Sequence, residues 1–240
     1  MQKNPNIDEV WNKGIWTQQP RDIIKNLKSF SSNSKIILIL RHSQRNEPDI
    51  NEKNANMELT VQGHRIAKKF GEMLPQNRTI RLFHSPVNRC KETAEQIHEG
   101  FKENGGESIY KGECDVLWGI GLDKQFFMSE LAKFHSLEVF YRWVSGFYKT
   151  SQMPPLLPYV QRAAEILWNQ VKYMPDNGID IYISHDWHIL TYRFGWFGLL
   201  ADERWMGYLG GIGFTFEKNH ILLSDYGELK AVDVPHWWKK

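Results

Sequence analysis

Apolar positions along this chain follow two different periods. The unbroken apolar run that fills residues 35–40 after Lys35 predicts a buried strand, because a strand covered on both faces has no polar side to show, and the shorter, mostly apolar segments 79–83 and 179–183 are read as two more strands. Between them the spacing turns helical. Thr60 is placed to cap a helix on which Ile66, Phe70, Met73 and Leu74 form one stripe before Pro75 stops it. Ser85-Pro86 is the cap-then-proline pattern that opens a helix, and Val87, Cys90, Ala94, Ile97 and Phe101 follow along one face. Further helices are predicted at 21–30, inside a polar lead-in spanning residues 1–34, and at 159–173, with another after 186. Residues 46–58, rich in Asn and Glu, read as a loop. Near the end, 211–216 and 220–224 flank Lys218-Asn219 as a hairpin.

Gly105-Gly106 breaks the strand–helix alternation. The stretch after it is rich in aromatics (Phe126, Phe127, Phe134, Phe140, Tyr141 and Trp143 among them) and mostly helical in period until Pro154-Pro155. It reads as an inserted helical cap over residues 105–157. Repeated strand–loop–helix units elsewhere imply a largely parallel sheet. The expected fold is therefore α/β: one domain over residues 1–240, three layers α/β/α, a mostly parallel central sheet and the cap.

Composition narrows the partners. A net charge of +2 over 240 residues carries no electrostatic footprint for nucleic acid or an anionic membrane, so any anion must be recognised locally. The longest aliphatic run, 36–40, is too short to span a bilayer. The first residues are polar and lack the apolar core of a signal peptide. Two cysteines, Cys90 and Cys114, make neither a disulfide framework nor a CxxC metal site. The expected setting is cytoplasmic, with a small-molecule substrate, no nucleic acid and no membrane.

The polar residues that end the three predicted strands carry the chemistry. They are Arg41-His42-x-x-Arg45, Ser85-Pro86-x-x-Arg89 and Ser184-His185-Asp186. In a parallel sheet these ends open on one edge, where ligands of α/β folds bind. Three arginines, two histidines and helix N-termini gathered there suit a dianionic phosphoryl group. Asp186 is also placed to cap the helix that follows. His64, His84 and His188 read as structural.

The ordered set resembles the histidine phosphatase superfamily, which includes phosphoglycerate mutases and histidine acid phosphatases. Arg41-His42-Ser43-Gln44-Arg45 resembles its Arg-His-Gly motif. Leu59-Thr60-x-x-Gly63 and Ser85-Pro86-x-x-Arg89-Cys90-x-x-Thr93-Ala94 resemble the next two motifs, and Ser184-His185-Asp186 the last. Trp205-x-x-Tyr208-Leu209-x-Gly211-Ile212-x-Phe214 is similar to a late segment of the acid phosphatase branch. The resemblance implies that His42 is a nucleophile that becomes phosphorylated. It implies that Arg41, Arg45, Arg89 and His185 grip the phosphoryl oxygens and that no metal or other cofactor takes part. His-Asp in place of His-Gly points to the acid phosphatase branch, with Asp186 as general acid; Glu113 or Asp115 is the alternative donor, as a separate acid serves in the mutase branch. The implied activity is phosphomonoester hydrolysis. The alternatives are a mutase-like phosphotransferase and a phosphate-binding module without turnover, the latter because Ser43 stands where the family has glycine. Pro48 falls one residue later than in many acid phosphatases, and the disulfides of secreted relatives are absent.

Overall fold

In the computed structural model, residues 6–46 and 57–238 are described. Pro48 and most of the loop predicted at 46–58 lie outside them.

Strand β1 (Ile36–Arg41) occupies the middle of a seven-stranded sheet, which accounts for its apolar run. Ile36, Leu38 and Leu40 face one core and Ile37 and Ile39 the other. The remaining strands are β2 (Ile80–His84), β3 (Ser108–Glu113), β4 (Ile179–Ser184), β5 (Gly211–Phe216), β6 (Ile221–Asp225) and β7 (Glu228–Val232), in the spatial order β3-β2-β4-β1-β5-β6-β7. The first four run parallel, and the hairpin strands extend the sheet antiparallel from β1. Helices α1 (Ile7–Lys13), α2 (Gln18–Leu27), α3 (Val61–Met73) and α4 (Asn88–Glu103) supply the core on one face. On the other, α5 (Lys124–Leu131), α6 (Ser136–Val144), α7 (Leu156–Asn169) and α8 (Asp186–Phe197) enclose an aromatic core. The expected three-layer α/β fold is present.

Four expectations change. The segment expected to be wholly cap begins with β3, a sheet-edge strand whose residues alternate half-buried and exposed. Its sequence, Ser-Ile-Tyr-Lys-Gly-Glu, lacks an apolar run because only one side of it packs. β7 was hidden for the same reason. The lead-in contains α1 besides the expected helix, and Trp11 from α1 packs edge-on against Phe70 of α3. Finally, α4 starts at Asn88 with Val87 at its cap, so Ser85 does not cap it and its hydroxyl serves elsewhere.

Among the described residues, no helix is long and apolar enough to cross a membrane.

Candidate active site

β4 lies between β1 and β2, so the residues following these three strands meet at one sheet edge. Arg41 pairs in register with Ser184, and His84 with Ile183. His42, Ser85 and His185 are therefore delivered side by side from distant parts of the chain.

His42 is buried, and its tautomer is set from both sides. Its Nδ1 contacts the Ser43 carbonyl at 2.8 Å; a carbonyl only accepts, so Nδ1 carries the proton. Arg89 Nε donates to His42 Nε2 at 3.0 Å, so the lone pair sits on Nε2. The same guanidinium reaches His185 Nδ1 at 3.2 Å. His185 then keeps its proton on Nε2, which faces Ser85 Oγ at 3.1 Å. Burial, then the neighbouring Arg89 and Arg41, push the His42 pKa well below the ordinary imidazole value. Burial does the same to His185, with His188, His42 and Arg89 adding to it. Both rings are neutral at pH 7, and a neutral imidazole is the form that can attack phosphorus.

Arg41 lies beside His42. One of its terminal nitrogens donates to the Met206 carbonyl at 2.7 Å and the other meets Asp186 Oδ2 at 3.1 Å, while the guanidinium stacks 4.4 Å from the Tyr208 ring centre. Asp186 occupies the first position of α8. Its Oδ1 accepts from the Trp187 amide at 2.7 Å and its Oδ2 from the Trp205 indole at 3.0 Å. Trp205 supplies that bond from a left-handed backbone conformation (φ 37°), an uncommon one for a bulky residue. Arg45 lines the same cavity, at the bridge its backbone makes with Leu59.

Ser43 fits the turn that the family closes with glycine. Its Oγ donates to the Gly63 carbonyl at 2.7 Å, and its amide donates to Thr93 Oγ1 at 3.0 Å. Gly63 explains the Leu59-Thr60-x-x-Gly63 motif, because a Cβ there would lie 2.0 Å from the Gln44 carbonyl oxygen. Thr60 caps α3 as expected, accepting from the Gly63 amide at 2.8 Å.

All six predicted site residues, Arg41, His42, Arg45, Arg89, His185 and Asp186, line one cavity of about 470 Å³. Glu113 and Asp115 are exposed beside the end of β3 and are not part of its lining. Asp186 is the one carboxylate among the described lining residues. His188, expected to be structurally satisfied, also lines the cavity, yet neither ring nitrogen has a partner among the described residues. Burial lowers its pKa to about 4. Missed from sequence are the contact of Ser85 Oγ with His185, Trp118, Met206, and Trp205 as the support of Asp186. The Trp205-x-x-Tyr208 pair was the one available signal for the last of these. No group of three or more His, Cys, Asp or Glu side chains arranged to hold a metal occurs among the described residues.

Residues 37–107 match the histidine phosphatase superfamily (branch 1). A comparison with curated protein sequences gave no match. Among solved structures, the chain is similar to a mycobacterial glucosyl-3-phosphoglycerate phosphatase at 15% identity, covering 83% of this chain and 97% of that one, with a TM-score of 0.53. It is similar also to the phosphoserine phosphatase of Entamoeba histolytica in complex with 3-phosphoglyceric acid, at 17% identity, 85% and 100% coverage and a TM-score of 0.53. Residues 37–107 thus carry the sequence pattern of the histidine phosphatase superfamily, and the chain has its phosphoglycerate mutase-like fold.

Proposed function

We propose that this protein is a phosphomonoester hydrolase that works through a phosphohistidine on His42. The observation that carries the reading is the Arg89 Nε–His42 Nε2 contact of 3.0 Å, with Nδ1 locked by the Ser43 carbonyl. It supports Nε2 as the nucleophilic atom, with a guanidinium beside it to meet the transferred group. As the phosphoryl oxygens take over the Arg89 Nε–H, the freed Nε2 lone pair attacks phosphorus, the P–O bond to the leaving group breaks, and Asp186 gives its proton to the departing oxygen. Water then attacks the phosphohistidine, Asp186 takes a proton from it, and phosphate leaves with His42 restored.

Charge in this transfer spreads over the equatorial oxygens, which Arg41, Arg45, Arg89 and His185 surround. That cationic cradle supports metal-independent chemistry, and activity is expected to survive chelation by EDTA. Asp186 is paired with Arg41 at 3.1 Å. A phosphoryl dianion that draws Arg41 toward itself loosens this pairing and frees Asp186 to face the leaving oxygen. An aspartate after the second histidine is the acid phosphatase-like part of the reading. The branch 1 match concerns residues 37–107 and does not reach Asp186. Two unpaired cysteines and mild charge accord with a cytoplasmic setting.

Acid-quenched protein incubated with labelled para-nitrophenyl phosphate is expected to carry an acid-labile, base-stable phosphoryl group on His42. Undiminished hydrolysis by a folded His42→Ala variant overturns the mechanism.

A further inference from the structure

The half of the cavity away from the arginines is apolar. The strap after β3 reads Trp118-Gly119-Ile120-Gly121-Leu122, and both glycines take φ 77°, a left-handed conformation that other residues rarely adopt. Trp118, Ile120 and Leu122, alternating with the two glycines, all line the cavity, and α5 adds Phe127, Met128 and Leu131. Trp118 is 42% exposed and Met128 47% exposed, so two large apolar side chains stand uncovered on the wall of a phosphoryl site. Trp118 is held over His185, ring centres 4.8 Å apart, and Phe127 meets Trp187 edge-on at 4.9 Å. Among the described residues, the charged one lining this side is Lys124, exposed at the first position of α5.

We propose that the substrates of this site are phosphomonoesters of apolar alcohols, whose hydrocarbon or aryl group fills the cap-side wall while the phosphoryl group faces His42. The proposal rests on the phosphoryl site described above and adds the leaving group to it. A small polar leaving group such as a glycerate or a serine covers none of this surface. It also brings a carboxylate, for which the described residues of this side offer one exposed lysine, Lys124. An apolar group removes the wall from water, and each buried methylene adds a gain that polar leaving groups forgo.

The test is a series of n-alkylphosphonates from two to six carbons, titrated into the full chain by calorimetry. A phosphonate has no scissile P–O bond to a leaving group, so the readout stands whether or not His42 turns over. Kd is expected to fall roughly two- to fourfold per added methylene. Met128→Asn, at a half-exposed position, is expected to flatten that slope. A flat series overturns the proposal, as does an unchanged slope in the variant or tighter binding of 3-phosphoglycerate than of hexylphosphonate. A steep slope without any trapped phosphohistidine supports the apolar subsite and overturns the hydrolase mechanism alone.

Discussion

One guanidinium, that of Arg89, donates to His42 Nε2 at 3.0 Å and lies 3.2 Å from His185 Nδ1. Two imidazoles from opposite halves of the chain are thereby held in complementary tautomers. Arg89 itself sits near the start of α4, where a cation is mildly disfavoured by the helix dipole, so the position serves the site at some cost to the helix.

Arg89→Ala is expected to lower the single-turnover rate about 10²–10³-fold, the loss seen when one donor to the developing charge is removed. The loss should be similar for alkyl and aryl phosphates, because in the proposed mechanism Arg89 acts on the transferred group and not on the leaving one. Arg89→Lys restores charge without the fork and should recover only part of it. A full recovery with lysine would show that charge alone matters there.

Asp186→Asn separates acid catalysis from grip. Asparagine retains an acceptor for the Trp187 amide but has no carboxyl proton to give. With an alkyl phosphate the phosphorylation step should slow about 10²–10⁴-fold. With para-nitrophenyl phosphate, whose leaving group needs little protonation, the loss should be much smaller. Equal losses in single-turnover measurements would remove Asp186 as the acid and turn attention to Asp115 and Glu113, despite their places outside the cavity.

Helix α8 is tied to the sheet by Arg193, whose Nε and Nη2 donate to Asp225 of β6 at 2.7 and 3.0 Å with both side chains buried. Burial disfavours the Asp225 charge, yet Arg193 and Lys230 hold its pKa below the ordinary aspartate value. Arg193→Met leaves that carboxylate buried without its two-pronged partner, with Lys230 still donating to Oδ2 at 3.0 Å. A cost of about 3–5 kcal/mol is expected in urea unfolding, as for other broken buried pairs. Catalysis should suffer as well, since the N-terminus of α8 carries Asp186. A loss below about 1 kcal/mol would put the anchor of α8 elsewhere, in the range of exposed pairs.

His188 makes stability depend on pH in a definite direction. The folded ring is neutral with a pKa lowered to about 4, whereas the unfolded ring takes a proton near pH 6.5. Its contribution is complete above about pH 6.5 and is lost as pH falls toward about 4, at about 1.4 kcal/mol per unit. His42 and His185 act in the same sense, both being lowered by burial. His188→Phe keeps a ring beside Trp118 and removes one of these protons. The urea midpoint should therefore drop less between about pH 7.5 and about pH 5 in the variant than in the parent chain. Equal drops would assign the acid sensitivity to other groups.

The sequence alone was enough to place β1, whose unbroken apolar run marks a parallel strand buried on both faces, and β2 and β4, which are mostly apolar, although only the structure shows that their charged residues Arg81 and Asp180 are buried by pairing with each other. It also placed Arg41, His42, His185 and Asp186 at or just beyond strand ends, Arg89 in the helix after β2, and Thr60 at its cap, since each of these is a local relation between a residue and its neighbours in the chain. β3 and β7 were illegible, because an edge strand alternates half-covered and exposed residues and looks like any polar loop. The function of Ser85 was illegible for another reason: His185, a hundred residues away, claims its hydroxyl. Trp118 and Trp205 were ordinary aromatics in the chain. They became part of the site only when the sheet order β2-β4-β1 brought His185 and Asp186 beneath them. Apolar periodicity records which side of an element is covered, but what covers it is decided by contacts between distant segments.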